Sequence, residues 1–259
     1  MDLKLKDKIA IVGGASQGIG FGIAQTLAAE GAKLAITARR EHLLHEAAEK
    51  IRAETGTEVL VLPADCRRAE DCSAVVELAS AHYGGLDILV NNDGAPPLGE
   101  LLSFDDGAWQ QAIERNLMYV VRMCRAAVPH MQARGGGSVL NITAISAIQP
   151  IAGFGLSVAT WDAVIGYAKT LSLELAAAGI NINTVCPGYI ETERLQKVFA
   201  ADGQDPGVMR AKLASEIAMR RIGSVEDVAN LVAFLVSPRG SYVTGAAIQV
   251  DGGLFRGLR

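Results

Sequence analysis

The residues best suited to chemistry are glycines near the start of the chain, which separate two different apolar patterns. Gly13 and Gly14 follow the short apolar run of residues 9–12, while Gly18 and Gly20 open a segment whose apolar residues recur at helical spacing. Glycines at a strand-to-helix turn let the backbone approach a ligand closely, and the free amides at a helix N-terminus favour an anion. The pattern predicts a binding site for the pyrophosphate of a dinucleotide; the alternative is a tight turn that binds nothing.

Two arginines bear on which dinucleotide would bind. Residues 33–38 (KLAITA) form the next predicted strand, and Arg39 and Arg40 follow its C-terminal end. In dinucleotide-binding folds an acidic residue here holds the ribose 2′-hydroxyl, whereas an arginine can pair with the 2′-phosphate of NADP. Arg39 therefore favours NADP(H), with NAD(H) as the alternative cofactor. A basic helix start that faces water is the other interpretation, and it suits Arg40 better.

Apolar runs and helical patterns alternate along the rest of the chain with short connections. Strands are predicted at residues 9–12, 33–38, 58–62, 86–90, 138–142, 181–186 and 246–250. Helices are predicted from residue 18 and at residues 41–55, 69–83, 105–134 and 155–178. This alternation predicts a parallel sheet with helices on both faces, which binds ligands outside the carboxyl ends of its strands.

Two segments between these elements bear on a ligand. Asp65 and Cys66 follow the third strand, where an adenine ring would rest. Residues 191–207 break the alternation with charged residues, glycine and proline. We expect them to form a mobile surface segment that would suit a lid over substrate.

Composition limits the class of protein. The 259 residues, 50% of them hydrophobic and 20% charged, are enough for a single α/β domain that spans residues 1–259. No apolar run reaches the roughly 20 residues that a membrane span needs, and residues 1–8 form no secretory apolar region, so we expect a soluble cytoplasmic protein. A net charge of −4 without a concentrated basic tract argues against nucleic acid as a partner.

Cysteine and histidine spacing gives no metal site. The four cysteines stand apart without a C-x-x-C pair, so we expect reduced and mostly buried thiols at Cys66, Cys72, Cys124 and Cys186. His42 and His45 share one helix face, but no nearby ligand completes a metal cluster, and a solvated face is the better interpretation.

Together these residues resemble the short-chain dehydrogenase/reductase family over nearly the whole chain. The resemblance rests on Gly14-x-x-x-Gly18-Ile19-Gly20, Asn91-Asn92-x-Gly94, Asn116, Pro187-Gly188 with Ile190 and Thr192, and Asp251-Gly252-Gly253. It implies a single doubly wound Rossmann-type α/β domain with a seven-stranded parallel sheet and helices on both faces. Members commonly form tetramers through their last two large helices and C-terminal strand, so the resemblance implies a homo- or hetero-oligomer.

The resemblance also implies a cofactor site. In relatives the glycine turn holds the pyrophosphate, the Asn-Asn turn supports the adenosine side, and the segment after Pro-Gly contacts the nicotinamide carboxamide. We transfer these roles to the matching positions of this chain and add the residues that follow strands two and three. The expected cofactor-binding residues are then Gly14, Ser16, Gly18, Ile19, Gly20, Arg39, Asp65, Cys66, Asn92, Gly94, Pro187, Gly188, Ile190 and Thr192.

The family's reaction centre is substituted in this chain. Relatives carry a serine at the end of strand five, a tyrosine thirteen residues later and a lysine four residues beyond it. Serine and tyrosine bind the substrate oxygen, tyrosine passes the proton, and lysine lowers the tyrosine pKa and binds the nicotinamide ribose. Counting from Asn116, which matches the asparagine of the proton relay, these three positions hold Ala144, Ser157 and Trp161. A positioned general acid contributes about 10²–10⁴-fold to a rate, and none of the three residues replaces it.

Asp93 is a second departure from the family. It replaces the alanine of the family's Asn-Asn-Ala-Gly turn, which places a carboxylate close to an anionic cofactor. We expect its charge to weaken binding unless the side chain points away or an arginine faces it.

Other residues could serve as proton donor. Tyr189 is the best candidate, since its loop borders the active cleft in relatives, although packing against substrate is the alternative role. Ser146 and Asp162 are weaker candidates, and Tyr167 with Lys169 lies more than two helical turns beyond Ser157. Without its partners, Asn116 is expected to bond backbone where its helix kinks.

Three functions are compatible with this pattern. The first is a catalytically silent subunit that pairs with an active paralogue of the same family. The second is an NADP(H)-dependent oxidoreductase with an unusual proton donor, acting on an activated alkene, a carbonyl or an acyl-CoA thioester. The third is a ligand-binding protein without catalysis. If cofactor binding has been lost, the second function is excluded.

Overall fold

The computed structural model describes residues 1–201 and 205–258, and these residues form one sheet of seven strands. The strands are β1 (Ile9–Gly13), β2 (Lys33–Ala38), β3 (Val59–Pro63), β4 (Ile88–Asn91), β5 (Gly137–Ile142), β6 (Ile180–Pro187) and β7 (Ala247–Val250). Their spatial order is β3-β2-β1-β4-β5-β6-β7, and every neighbouring pair is parallel. The predicted doubly wound parallel sheet is confirmed.

Helices cover both faces of the sheet. The described helices are α1 (Gly18–Ala29), α2 (Glu41–Thr55), α3 (Ala69–Tyr83), α4 (Asp106–Ile113), α5 (Tyr119–Ala133), α6 (Gly155–Leu175), α7 (Glu193–Ala201), α8 (Pro206–Glu216) and α9 (Val225–Val236). One apolar core joins the sheet to α1, α2 and α9, and a second joins it to α3, α5 and α6. Because the strands are buried on both sides, they contain mostly apolar residues rather than an alternating pattern.

The strand order creates a crevice beside β1. The chain passes from β1 to β2 and β3 on one side, then crosses back to place β4 on the other side. At such a reversal the connections on the two sides diverge, which leaves a binding crevice at the carboxyl ends of the strands. The glycine turn after β1 and the Asn-Asn turn after β4 both open into this crevice.

The predicted helix over residues 105–134 is interrupted. A single π-helical turn, Glu114–Met118, separates α4 from α5. Asn116 lies in this turn and is buried, and its Nδ2 donates a hydrogen bond of 2.8 Å to Oγ1 of Thr160 on α6. The predicted kink is present, but the partner of the asparagine side chain is a hydroxyl of a neighbouring helix rather than backbone.

The segment predicted to be a mobile surface loop contains a helix. Of residues 191–207, α7 buries the side chains of Leu195 and Phe199, with Phe199 only 1% exposed. Helix α7 was not among the predicted helices, and two apolar residues one turn apart anchor it to the protein; a lid role for this segment stays a prediction. Residues 202–204 of the predicted segment lie outside the described residues.

Three expectations concern the chain as a whole. All four cysteines are free; Cys72, Cys124 and Cys186 are buried and Cys66 is half-buried. In the part of the chain that the structure describes, no helix is long and apolar enough to cross a membrane. No group of three His, Cys, Asp or Glu side chains within residues 1–201 and 205–258 could hold a metal ion.

Helix α9 offers a test of stability against pH. Ser224 and Asp227 form a capping box at its start, and Arg221 donates to Oδ1 of Asp227 at 2.9 Å. The Arg221 hydrogen bond, with the Ser224 amide, lowers the pKa of Asp227 from 3.8 to about 2. Because the folded pKa is the lower one, the carboxylate stabilises the fold above about pH 4, and this contribution is lost as the pH falls toward 2.

We expect Asp227→Ala to lower the free energy of unfolding by about 1 kcal/mol at pH 7, the usual effect of losing a cap. The difference between variant and wild type should shrink as the pH falls from 4 toward 2. Urea unfolding at pH 7, 4 and 3 measures it. A difference that stays constant over this range would contradict the assignment.

Candidate functional site

A cleft of about 1050 Å³, open to solvent, lies at the carboxyl ends of β1, β2 and β4. It is lined by residues of the glycine turn, the ends of β2 and β3, the Asn-Asn turn and the start of α7: Gly13, Gly14, Ser16, Gln17, Gly18, Ile19, Thr37, Ala38, Arg39, Arg40, Ala64, Cys66, Asn92, Asp93, Gly94, Tyr119, Thr192, Glu193 and Arg194. Most of the expected cofactor residues therefore share one surface, although they come from five separate segments.

The glycine turn is shaped for close approach to a ligand. Gly14 and Gly18 have φ values of +57° and +60°, which favour glycine. Nδ2 of Asn92 donates to the Gly13 carbonyl at 3.1 Å, and a Cβ on Gly20 would lie 2.6 Å from that nitrogen. Asn92 therefore braces the turn from the β4 side, and Gly20 is required for packing rather than for contact with the cleft.

The first turn of α1 can receive an anion. No side chain caps this helix, since Gln17 at the cap position is extended and its side chain accepts instead from Arg40 at 2.7 Å. The first amides of α1 consequently keep their hydrogen-bonding capacity for a ligand in the cleft. A pyrophosphate matches both the free donors and the positive end of the helix dipole.

Arg39 is an exposed cation on the cleft wall. Its guanidinium makes no hydrogen bond or ion pair to any described residue, whereas the guanidinium of Arg40 is held by Gln17. It lies within electrostatic range of the carboxylates of Asp65 and Asp93. The residues present therefore fit a nicotinamide dinucleotide, and Arg39 is free to pair with a phosphate at its adenosine end.

The two residues expected beside the adenine differ in their placement. Cys66 lines the cleft, but Asp65 does not. The Asp65 carboxylate accepts two hydrogen bonds from Nε of Arg67, at 2.8 and 3.1 Å, and one from its Nη2. These bonds to Arg67 lower the pKa of Asp65. The backbone of Asp65 is engaged as well, because its amide donates to Oδ2 of Asp71 at 2.8 Å and its carbonyl accepts from the Arg68 amide at 2.8 Å.

At the other end of the expected site, Thr192 alone reaches the cleft. Pro187 ends β6, Gly188 packs so closely on Asp251 that a Cβ would lie 2.8 Å from the aspartate Cβ, and Ile190 is buried in a bridge to Gly223. These three residues hold the chain in place behind Thr192 rather than lining the cleft. A Cβ on Gly18 would lie 3.6 Å from Cγ2 of Thr192, so α1 and the β6 loop meet across the cleft.

The positions predicted to correspond to the family's tyrosine and serine differ in exposure. Ser157, at the predicted tyrosine position, is 0% exposed, and its hydroxyl has no partner among the described residues. Ala144, at the predicted serine position, is half-buried and its methyl group offers no hydrogen-bond donor. Ser157 therefore presents no proton to the cleft.

Trp161, at the position predicted to correspond to the family's lysine, lines a smaller and narrow cavity that has room for about one water molecule. This cavity adjoins the cleft through shared lining residues and is surrounded by Asn91, Asp93, Gly94, Arg115, Asn116, Tyr119, Val120, Ile142, Thr143, Trp161 and Val164. The indole ring contributes an apolar wall where relatives carry an ammonium group. The hydroxyl of Thr143 is already bonded to the Val185 carbonyl at 3.3 Å, so it does not replace the missing serine.

Asp93 lies within electrostatic range of two arginines, Arg39 and Arg115. Its carboxyl lies at the junction of the cleft and the smaller cavity. Burial raises the pKa of Asp93, while the Gly94 amide and then the charges of Arg39 and Arg115 act in the opposite direction. No described side chain forms an ion pair or hydrogen bond with the Asp93 carboxylate. The negative charge beside the cofactor site is therefore balanced at a distance.

The alternative proton donors lie elsewhere. Tyr189 packs in an apolar cluster with Ile145, Ile217 and Leu254 and lines a separate pocket. Burial, and then the charge of Glu216, raises its pKa, which weakens it as an acid. Of the weaker candidates, Ser146 is buried without a partner, Asp162 and Lys169 are exposed away from both cavities, and Tyr167 packs in the core beside Cys124.

Sequence reasoning did not assign several of the cleft-lining residues to the site, and three of them are polar residues of interest. Thr37 is a polar residue inside the otherwise apolar β2, which was an available indication. Tyr119 lies on α5 and its hydroxyl receives the Asn92 amide at 3.2 Å, a contact that nothing in the local sequence indicates. Arg194 lies two residues after Thr192 and adds a third exposed cation to the cleft, besides Arg39 and Arg40.

Comparisons with known proteins agree with this architecture. A family profile described as "Enoyl-(Acyl carrier protein) reductase" matches residues 14–255. Dehydrogenase/reductase SDR family member 4 of Oryctolagus cuniculus is 34% identical over 250 residues, 96% of this chain and 94% of that protein. The 3-oxoacyl-acyl-carrier-protein reductase of Escherichia coli is 34% identical over 253 residues, 98% of this chain and 99% of that protein.

A solved structure gives the same result in three dimensions. L-sorbose reductase of Gluconobacter frateurii, determined in complex with NADPH and L-sorbose, superimposes with a TM-score of 0.96 and 36% identity, covering 100% of both chains. Sequence motifs, fold and whole-length similarity thus agree. The chain belongs to the short-chain dehydrogenase/reductase family.

Proposed function

We propose that this chain is a catalytically silent subunit that retains the NADP(H) cleft of its family and associates with an active paralogue. The observation that carries the proposal is the contrast between the two halves of the site. The glycine turn, the uncapped α1 and the free Arg39 form an open cleft, whereas Ser157 is completely buried and Ala144 offers no donor. A bound nicotinamide would supply hydride chemistry, but no described residue there supplies the proton.

The proposal of a partner is supported by the surface. Leu173 on α6 is 74% exposed, and Tyr242, shortly before β7, is fully exposed. Relatives assemble through helices and a strand in these parts of the fold. Single exposed apolar residues are common at protein surfaces, so the support comes from the location of these two in the parts of the fold through which relatives assemble. We propose a tetrameric hetero-oligomer, with a homo-oligomer as the alternative.

The first test is a titration of the purified protein with NADPH and then NADH, followed by tryptophan fluorescence. We expect quenching and energy transfer from Trp161 to the reduced nicotinamide, with tighter binding of NADPH. Trp109 is the other tryptophan, so Trp161→Phe assigns the change. Consumption of NADPH should stay at the background rate with a panel of carbonyl, enoyl and acyl-CoA substrates.

The outcomes separate the candidate functions. Binding without turnover, together with co-purification of a co-expressed paralogue, is the result expected for the silent subunit. Brisk turnover by a monodisperse homotetramer would overturn the proposal and favour an active oxidoreductase with another proton donor. The open cleft and the reductase names of the relatives support this alternative function. Binding without turnover and without any partner would favour a ligand-binding protein.

A further inference from the structure

Arg194 is a cation of the cleft wall that forms no pair. It lies in the first turn of α7, and its guanidinium makes no hydrogen bond or ion pair with any described residue. The helix dipole opposes a cation at this position, and Arg115, within electrostatic range, carries the same charge. Glu193 precedes it, but neighbouring side chains of a helix do not face each other. An unpaired arginine in such surroundings indicates an anionic ligand.

The wall that carries Arg194 faces the start of α1. A Cβ on Gly18 would lie 3.6 Å from Cγ2 of Thr192, so the residue two positions before Arg194 is in contact range of the glycine turn. Oγ1 of Thr192 also accepts from the Leu195 amide at 3.4 Å, which connects the start of α7 to this contact. The uncapped amides of α1 and the guanidinium of Arg194 therefore border the same part of the cleft.

Packing holds the backbone around Arg194 in place. Leu195, the next residue, is 8% exposed, and Phe199, one turn further along α7, is 1% exposed. Just before the helix, the carboxylate of Glu191 accepts from Nη2 of Arg210 on α8 at 2.9 Å. Because these contacts already order the segment, binding of a ligand has to order little more than the Arg194 side chain itself.

A pyrophosphate matches this position best. A guanidinium presents several N–H groups in one plane, and two of them fit neighbouring phosphate oxygens. The amides of α1 reach only the side of a pyrophosphate that faces them, which leaves oxygens on the opposite side without donors. The other two exposed arginines of the cleft, Arg39 and Arg40, follow β2 and lie at the adenosine end. Arg194 is therefore the cation placed for the middle of the cofactor.

We propose that Arg194 pairs with the pyrophosphate of the cofactor from the α7 side, opposite the amides of α1. The proposal rests on the NADP(H) cleft proposed above. It gives α7 a direct part in cofactor binding. It also separates the roles of two arginines, because Arg39 recognises the 2′-phosphate that only NADP(H) carries, whereas Arg194 recognises a group that NADPH and NADH share.

Three ligands test this separation. We expect Arg194→Ala to weaken the binding of NADPH and of NADH by the same factor, about tenfold or more, the usual effect of losing hydrogen bonds to a charged group. Binding of adenosine 2′-monophosphate, which has the adenosine end but no pyrophosphate, should stay unchanged. Arg194→Lys keeps the charge without the planar fork and should fall between the wild type and Arg194→Ala. Calorimetric titration measures the three affinities.

Arg210→Ala is the matched control, since it removes an equal charge from the neighbouring α8 and breaks the ion pair with Glu191. It should leave the affinities for both cofactors unchanged. If Arg210→Ala causes the same loss, the effect comes from loosening the segment or from general positive charge, and the pyrophosphate contact is overturned.

The remaining outcomes are distinguishable. Unchanged cofactor binding by Arg194→Ala, a loss confined to NADPH, or weaker binding of adenosine 2′-monophosphate would overturn the pyrophosphate contact while leaving the cofactor cleft in place. Absence of NADPH binding by the wild type would overturn both proposals. Thermal unfolding without ligand shows whether each variant is folded, and Arg194→Lys serves if the alanine variant is not.

Discussion

The triple variant Ala144→Ser, Ser157→Tyr and Trp161→Lys is expected to reduce a simple carbonyl substrate with NADPH at least about 100-fold faster than the wild type. A positioned general acid contributes about 10²–10⁴-fold, and hydrogen-bond donors aimed at the developing alkoxide contribute a comparable factor. The cleft that would hold the cofactor is already open and lined by Arg39 and Thr192. Stopped-flow or steady-state loss of NADPH absorbance measures the gain.

The packing around Ser157 limits which of these substitutions can be made singly. Ser157 is fully buried and lies one helical turn before Trp161 on α6, so a phenol at position 157 needs the space that the indole occupies. Ser157→Tyr alone should therefore remain inactive and lower the melting temperature, as overpacked sites do. The variant Ala144→Ser, Trp161→Lys keeps the cavity open without the acid and is the matched control. A folded, NADPH-binding triple variant that remains at the background rate would show that the three substitutions are not the whole defect.

Arg39→Glu is expected to weaken NADPH binding by at least about 100-fold while weakening NADH binding much less. The physical reason is that Arg39 has no partner among the described residues and is free for a charge-assisted pair with the 2′-phosphate, which NADH lacks. Calorimetric titration with both cofactors at two salt concentrations measures the ratio. The NADPH preference of the wild type should also fall as salt screens the pair.

Arg40→Ala is the comparison for that experiment. Its guanidinium already donates to Gln17 at 2.7 Å, so its removal should affect both cofactors by a similar and smaller factor. If Arg39→Glu reduces NADPH and NADH binding equally, the arginine contributes general positive charge rather than recognition of the 2′-phosphate. If Arg40→Ala abolishes the preference instead, the two arginines have exchanged the roles assigned to them.

Much of the fold was accessible from local sequence. Apolar runs such as residues 33–38 specify strands buried on both faces, and their alternation with helical patterns specifies a parallel sheet. The helix within residues 191–207 was not predicted, because the burial of Leu195 and Phe199 depends on packing against other parts of the chain. The interruption at Asn116 was predicted only as a kink, since the hydroxyl that receives its side chain comes from Thr160, 44 residues later.

The sequence by itself determined the fold class and the glycine turn, because these depend on short-range patterns, and counting along the chain predicted which residues stand at the family's three catalytic positions. Only the tertiary structure decided which side chains meet. It brought Asp93 within electrostatic range of Arg39 and Arg115, paired Asp65 with Arg67, buried Ser157 in the interior and placed Tyr189 at a separate pocket. Contacts between segments far apart in the chain depend on packing and burial, and no local pattern of residue types encodes them.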